Sequence, residues 1–452
     1  MFSGKEDKRR QIAVIGGGWS GCAAAVELSK AGCTVTLFES ARTLGGRARG
    51  VKLDGRMLDN GQHILLGAYR DSLALMRTVG IDTDETLLRL PLQMPYPATH
   101  SHDEGMHFVT PRLPAPWHML FGLLGARGLS KADKLSLARF STTARWMEWR
   151  MHADCSVCEL LERFGQTDNL IKLMWRPLCL AALNTPPERA SAQVFLNVLR
   201  DSLGAKRAAS DMLLPRVDLT ELFPQHAARY IEQQGSAVLY GANVAGLIRT
   251  DAAWRVILSG DEAVAHATQR EFDGVVLATQ AAHAAELLRD LTDTTSLHAF
   301  EYEPITTCYL RYAPETRLAR PFFALIDDTQ TGAWGQFVFD RGQLDPAQAG
   351  ILAVVVSASS AAVELDQHAL AAAIAAQLAH VLNMPELAQP AWSKVISEKR
   401  ATFACTPGLR RPSNDLGLPE LVLAGDYTAG DYPATLEAAV RSGIQAAQLL
   451  AA

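Results

Sequence analysis

Residues 11–39 read QIAVIGGGWSGCAAAVELSKAGCTVTLFE. The apolar run Ile12–Ile15 predicts a buried strand that leads straight into Gly16-Gly17-Gly18-Trp19-Ser20-Gly21. Small residues, Cys22-Ala23-Ala24-Ala25, follow on the first turns of an expected helix. A second strand, Thr34–Phe38, ends on Glu39. Strand, glycine turn, helix, strand and acid in this order predict a dinucleotide-binding βαβ unit. Gly16 allows the tight turn. Gly18 lets the backbone approach a pyrophosphate, and Gly21 with the alanines lets the helix pack close to the sheet. The helix N-terminus, at Trp19 and Ser20, offers N–H groups and a positive dipole end to the phosphates. Glu39 is placed to accept hydrogen bonds from an adenosine ribose.

The next residues, Ser40-Ala41-Arg42-Thr43-Leu44-Gly45-Gly46-Arg47-Ala48, add a second glycine pair followed by Arg47. A domain that binds only NAD has no need of it. A flavin dinucleotide does, because its pyrophosphate and ribityl chain need further close backbone approach. At the far end, Leu421–Ala424 reads as a strand leading to Gly425-Asp426. A helix begins near Pro433-Ala434-Thr435 and runs through Leu436–Ala447.

These motifs resemble the FAD-dependent amine oxidase and phytoene-desaturase superfamily. The resemblance implies an α/β (α+β) fold: a Rossmann-type FAD-binding domain with an inserted helical and mixed-sheet substrate domain. It implies FAD contacts from Ser40, Arg42, Gly46 and Arg47, and ribitol binding by Asp426. Val244 is expected near the adenine, and Gly61, Gln62 and His63 on a loop passing the flavin. Pro433, Ala434, Thr435 and Leu436 are expected at the pyrimidine edge, where a helix N-terminus stabilises the negative charge of a reduced flavin.

The chain of 452 residues is long enough for two or three domains with substantial cores. Its content is 48% hydrophobic and 20% charged, with a net charge of −5, so no nucleic-acid footprint appears. The opening MFSGKEDKRRQ lacks the apolar core of a signal peptide or anchor, and no stretch has the ~18–20 apolar residues of a spanning helix. Seven thinly spread cysteines fit a reduced, cytosolic protein. The close pair Cys155 and Cys158 falls in a helical stretch without a second pair, so no metal site is expected.

Five segments are expected: FAD-binding residues 1–90, a mainly helical substrate region 91–215, FAD-binding residues 216–290, a sheet lobe 291–400, and a final FAD-binding segment 401–452. Val51–Asp59 reads as a hairpin around Asp54-Gly55. Leu113–Leu129, Leu160–Leu183, Ala190–Leu203, Leu219–Gln234 and Glu364–Leu382 read as helices. Ala237–Thr250 and Trp254–Leu258 read as paired strands, and Phe272–Thr279 as a buried one.

Four further segments narrow the resemblance: Asp59-Asn60-Gly61-Gln62-His63 with Ile64–Tyr69, Met174–Thr185 (MWRPLCLAALNT), Glu398–Gly408, and Gly425-Asp426-Tyr427 with Tyr432–Gly443. Together they resemble the squalene-associated FAD-dependent desaturases, the hydroxysqualene dehydroxylases of hopanoid biosynthesis, from about Gln11 to Leu449. The family implies a reductive reaction: hydroxysqualene loses its hydroxyl, gains a hydride from reduced FAD and becomes squalene. It also implies a C30 isoprenoid substrate drawn from a bilayer or a partner synthase. The expected location is cytoplasmic, peripheral to the inner face of the cytoplasmic membrane. His63 is the leading proton donor or a contact to FAD or backbone, and Asp59 a second donor or a brace for the loop at Gly61. Arg176 and Arg400 border the cofactor or bind acids. Trp146, Trp149 and Trp175 line a polyene channel or belong to the core. Leu113–Leu129, with Trp117 and Phe121, docks on lipid or lies buried. A phytoene-type carotenoid desaturase or a flavin amine oxidase shares the FAD motifs. Tyr427 and Tyr432, flanking the flavin turn, weaken the amine oxidase reading. A prenyl-lipid carrier of the same fold would lack the complete set, so Gly46-Arg47 and Gly425-Asp426 argue against one.

Overall fold

A computed structural model describes residues 9–97, 105–251, 253–259 and 271–451. The expected N-terminal lead-in falls mostly outside them. β1 (Gln11–Ile15), α1 (Trp19–Lys30) and β2 (Thr34–Glu39) form the βαβ unit, the strands pairing in parallel from Gln11 opposite Thr34 to Ile15 opposite Phe38. β3 (Gly50–Leu53) and β4 (Arg56–Asp59) make the hairpin, and Asp54 and Gly55 both take positive φ at its turn. β4 thereby delivers Asp59 and the Asn60–His63 loop. A small sheet joins β5 (Leu65–Leu66) and β6 (Leu87–Leu90), on either side of α2 (Arg70–Thr78), to the later β9 (Met212–Pro215).

The helical region opens with the hairpin β7 (Gln93–Pro95) and β8 (His107–Val109), then α3 (Trp117–Gly125) and α4 (Lys131–Trp146). The apolar run Leu113–Leu129 thus yields a shorter helix than expected. Pro114 and Pro116 keep the chain from turning helical before Trp117, and Ala126 is extended. The expected Leu160–Leu183 helix is interrupted into α5 (Val157–Arg163), a π-helical turn at Ile171–Trp175 and α6 (Arg176–Leu183), because Gly165 takes positive φ and Thr167 caps a new start. α7 (Ala192–Ser202) follows, capped by Ser191.

Leu219–Gln234 also divides, into α8 (Leu219–Leu222) and α9 (Pro224–Gln233). Pro224 forces Phe223 out of helical geometry, to φ −151°. The expected Ala237–Thr250 strand is two strands in two sheets. β10 (Ala237–Tyr240) joins β2, whereas β11 (Val244–Arg249) pairs with β12 (Trp254–Leu258), and Gly241 at φ 69° redirects the chain between them. β13 (Glu271–Phe272) completes that second sheet. β14 (Gly274–Leu277) returns beside β1.

The sheet lobe has the order β16 (Phe322–Ala324), β17 (Phe337–Asp340), β18 (Ile351–Val356), β15 (Tyr302–Arg311) and β19 (Trp392–Phe403). β19 continues past the expected boundary at 400 and pairs with β15 as far as Phe403 opposite Tyr302, so the lobe ends later than expected. α10 (Gln367–Val381) covers one face. Asp366 caps it by accepting from the N–H groups of His368 and Ala369, which places its start after Glu364. β20 (Leu421–Leu423) completes the nucleotide sheet, whose order is β10-β2-β1-β14-β20, and α11 (Leu436–Ala451) packs on α1. That packing needs glycine at 443, where a Cβ would sit 2.2 Å from the Ser20 carbonyl oxygen.

Candidate functional site

The chain ends of β1, β2 and β14 meet at the glycine turn. Gly16 N–H donates to Phe38 O at 2.8 Å, and a Cβ on Gly21 would lie 1.9 Å from Gly16 O, so no larger residue fits at 21. Gly18 differs. Its φ of −72° suits any residue, and a Cβ there meets only the Cα of Gly46, at 4.0 Å. The space in front of Gly18 is open, and no side chain caps α1. Gly45 N–H donates to Gly17 O at 2.8 Å, drawing the second glycine pair against the first. Trp19 turns its indole inward to donate to Ala48 O at 3.1 Å and packs on Phe223, so only its backbone is left for a phosphate. Ser20 is buried on the same turn.

Glu39 is buried. One carboxylate oxygen accepts from Gly17 N–H and the other from Ala41 N–H, both at 2.7 Å. It therefore shapes the glycine turn and the start of the Ser40–Arg42 segment. A carboxylate's remaining lone pairs leave capacity for a ribose hydroxyl. Ala242 N–H donates to Glu39 O at 2.9 Å, which sets the buried Val244 just beyond this corner.

Opposite the turn, Arg47 donates from Nη2 to Asp426 Oδ1 at 2.6 Å and from Nη1 to Ala401 O at 2.7 Å. Asn60 donates to Arg47 O at 3.1 Å. Arg411 holds the loop after Asp426 by donating to the carbonyls of Tyr432 and Gly430, while its guanidinium lies 5.4 Å from the Phe403 ring centroid. Nothing in the sequence reading pointed to Arg411. Tyr427 is buried with its hydroxyl unpartnered, a polar atom that calls for a group outside the chain.

The N-terminus of α11 is partly occupied from within. Thr435 Oγ1 accepts from Ala438 N–H at 3.2 Å, so Thr435 caps the helix, and the following Leu436 remains partly buried at its first turn. Glu437, fully buried, accepts from Ser72 N–H and Oγ and so anchors α2. Pro433 and Ala434 lead into this turn beside Tyr432, whose ring lies 4.3 Å below Arg441.

Asp59 and His63 occupy different surroundings. Asp59 Oδ1 accepts from Leu219 N–H at 2.8 Å, and its Oδ2 lies 3.9 Å from Nη1 of the fully buried Arg341. Burial raises its carboxyl to about 6, with Arg341 and the Leu219 N–H pulling the other way. Tyr309 donates to Asp59 O at 2.9 Å. Arg341 also donates to Gln62 Oε1 at 2.8 Å, and Thr307 Oγ1 accepts from Gln62 N–H at 3.4 Å. The loop carrying Gly61, Gln62 and His63 is thus clamped from the sheet lobe, by Arg341, Thr307 and Tyr309. Those residues carry no motif, and only strand pairing brings them there. His63 Nδ1 lies 2.7 Å from Gly61 O. A carbonyl only accepts, so Nδ1 carries a proton and Nε2 is the free ring atom. Burial pushes the imidazole below its ordinary range, with the Gly61 contact opposing.

The other residues sort as follows. Arg176 pairs with Asp327 at 2.7 Å, and Arg400 lies 5.9 Å from the Tyr302 ring centroid. Trp175 is core: its indole donates to Gln166 Oε1 and its ring packs on Phe140 and Phe195. Trp149 is half-buried and Trp146 is 84% exposed. Tyr309, Phe337, Phe339 and Val355 of the sheet lobe share one apolar cluster with Met94, Tyr96, Leu173 and Met174 of the helical region.

Open space before Gly18, a free helix N-terminus, the Arg47–Asp426 pair and the unpartnered Tyr427 hydroxyl fit an extended dinucleotide with polar groups along its length. The comparisons agree. The chain is 29% identical to the hydroxysqualene dehydroxylase of Rhodopseudomonas palustris, over 98% of this chain and 99% of the relative. It is 27% identical to that of Sinorhizobium fredii, over 97% and 98%. A probable zeta-carotene desaturase of Synechococcus elongatus is 23% identical, over 97% and 98%. Among solved structures, cyclohexylamine oxidase from Brevibacterium oxydans shares the fold, with a TM-score of 0.66 at 16% identity over 98% of this chain and 99% of that one. The pattern of the flavin containing amine oxidoreductases matches residues 19–451, and the chain therefore belongs to that family, as an FAD-dependent oxidoreductase.

Proposed function

We propose that this enzyme is a hydroxysqualene dehydroxylase, replacing the hydroxyl of a C30 isoprenoid alcohol with hydrogen to give squalene. The observation that carries the reading is similarity to two dehydroxylases along nearly the whole of each chain. The chemistry fits the site. A C–O bond breaks, the hydroxyl takes a proton and leaves as water, and a C–H bond forms. Bound FAD, once reduced, supplies the hydride. The protein's part is to bind, orient, exclude water and deliver one proton.

Gly16, Gly18, Trp19, Ser20, Gly21, Gly46 and Arg47 are proposed to hold the pyrophosphate, and Glu39, Ser40, Arg42 and Val244 the adenosine end. Asp426, steadied by Arg47, takes the ribitol. Gly61, Gln62, His63 and the Pro433–Leu436 turn border the ring. His63 is proposed as the proton donor, acting in its doubly protonated form, because the Gly61 carbonyl already takes the Nδ1 proton. Asp59 is proposed as a brace between its loop and Leu219. The apolar cluster shared by the sheet lobe and helical region is proposed as the wall against which the hydrocarbon chain lies, since it desolvates no polar group. A substrate this apolar comes from a bilayer, here the inner face of the cytoplasmic membrane, or directly from a partner synthase. Among the described residues no helix is long and apolar enough to cross a membrane, so the proposed attachment is peripheral.

Anaerobic mixing of the photoreduced holoenzyme with hydroxysqualene tests the assignment. Flavin reoxidation with stoichiometric squalene is expected. A flavin that stays reduced with hydroxysqualene, while the oxidised enzyme desaturates zeta-carotene, would replace it with the desaturase reading.

A further inference from the structure

We propose that the consecutive helices α3 and α4 carry the surface by which this enzyme docks on an anionic bilayer, with α3 as the wall between lipid and the apolar interior. The proposal rests on the isoprenoid reading for its purpose, but its evidence is independent. Trp117, Leu120, Phe121 and Leu124 recur at helical spacing on one face of α3, and they are 54%, 44%, 50% and 59% exposed. Four large apolar side chains on about two turns of helix form a patch that a water-facing helix does not ordinarily present. The opposite face is turned inward. His118 and Gly122 are buried there, and Met119 and Leu123 pack against the same cluster that lies between the sheet lobe and the helical region. A Cβ on Gly122 would sit 3.1 Å from Thr110 Cγ2, so α3 lies directly on the chain after β8.

Charge identifies the occupant. The protein is acidic overall, yet residues 105–147 contain Arg112, Arg127, Lys131, Lys134, Arg139 and Arg145 against one carboxylate, Asp133. Asp133 is buried and occupied with Ser130, Thr167 and Asn169, so it does not offset them at the surface. Lys134 donates to Leu124 O at 2.8 Å, which fixes a cation at the end of the apolar face. On α4, Lys131, Leu135, Arg139 and Trp146 repeat the mixture along one exposed stripe, Leu135 at 62%. Apolar and indole groups beside cations that have no ion-pair partner among the described residues are the composition of a helix that lies in an anionic headgroup layer. A second copy of this chain would have to bring acids to meet these cations, and among the described residues 105–147 no exposed acid is on offer across a twofold axis.

Flotation of the holoenzyme with vesicles of phosphatidylcholine, with and without phosphatidylglycerol, tests this. The wild type should float with the phosphatidylglycerol vesicles and lose binding at high salt. Trp117→Ser with Phe121→Ser should weaken binding on the order of tenfold or more while FAD content is retained. Because all its positions are exposed, Arg127→Gln/Lys131→Gln/Arg139→Gln should fold normally and lose the preference for phosphatidylglycerol. Both variants should still turn over hydroxysqualene dispersed in detergent, so failure of docking separates from failure of the activity. Wild type that floats with neither vesicle overturns the proposal. So do variants that float like wild type, or a solution dimer that the apolar double variant dissolves without any vesicle binding.

Discussion

Arg47 Nη2 donates to Asp426 Oδ1 at 2.6 Å, across 379 residues of sequence. The two residues belong to the motifs that open and close the chain, and the pair is largely shielded, with side chains 27% and 9% exposed. One contact thus ties both ends of the nucleotide domain together where the ribityl chain is proposed to run. A shielded pair loses more when one partner is removed than an exposed pair does, because the other is left charged and alone.

Arg47→Ala should therefore lower FAD affinity by about ten- to a hundredfold, the range for losing one hydrogen bond to a charged group. Asp426→Asn, which keeps the shape, should fall between it and wild type. Flavin released on dilution, followed by fluorescence, measures this. Unchanged retention in both variants would place the ribitol elsewhere.

Gly18 and Gly21 should fail in different ways. A side chain at 18 has space and ordinary φ, so Gly18→Val should fold but purify without yellow colour. Gly21→Ala drives a Cβ into the Gly16 carbonyl and should destabilise the protein by about 1–3 kcal/mol with or without FAD. Flavin-to-protein absorbance and thermal unfolding of each apoprotein separate the two. A yellow Gly18→Val protein would contradict the phosphate placement.

The Asp59 carboxyl is raised by burial from 3.8 to about 6. The folded state then binds more protons than the unfolded one across that window, so this group's contribution to stability falls as pH rises from 3.8 to about 6 and is flat on either side. Denaturant unfolding of wild type minus Asp59→Asn should show that step. A difference independent of pH would mean that Arg341 holds Asp59 ionised throughout.

Partial burial holds His63 below its ordinary value of 6.5. Its doubly protonated form is the minor one at neutral pH. If it is the donor, flavin reoxidation by substrate should quicken by about tenfold per pH unit as pH is lowered towards that value. His63→Gln should remove the dependence and slow the reaction by ~10²–10⁴-fold at its acid optimum, with FAD binding little changed. Rapid mixing across pH reads both, and an unchanged profile leaves His63 as a structural contact.

Local chemistry determined much of this protein. The βαβ unit, the Asp54-Gly55 turn, the second glycine pair and the Gly425-Asp426 strand end are each set by residues within a few positions of one another. Steric rules for glycine and proline, and the apolar run of a buried parallel strand, act at that range. Breaks inside helices were readable only in part, since Pro224 announces the kink at Phe223, but nothing near Thr167 marks the π-helical turn. Tertiary structure alone decided where Arg341, Thr307 and Tyr309 lie, because antiparallel pairing in the sheet lobe carries them to a loop some 250 residues earlier. It also split Ala237–Thr250 between two sheets, buried Trp175 and turned Trp117 outward. An apolar side chain looks the same in a sequence whether it meets the core or the surface. Which of the two it meets depends on the packing of the whole chain, and for α3 both outcomes occur on opposite faces of one helix.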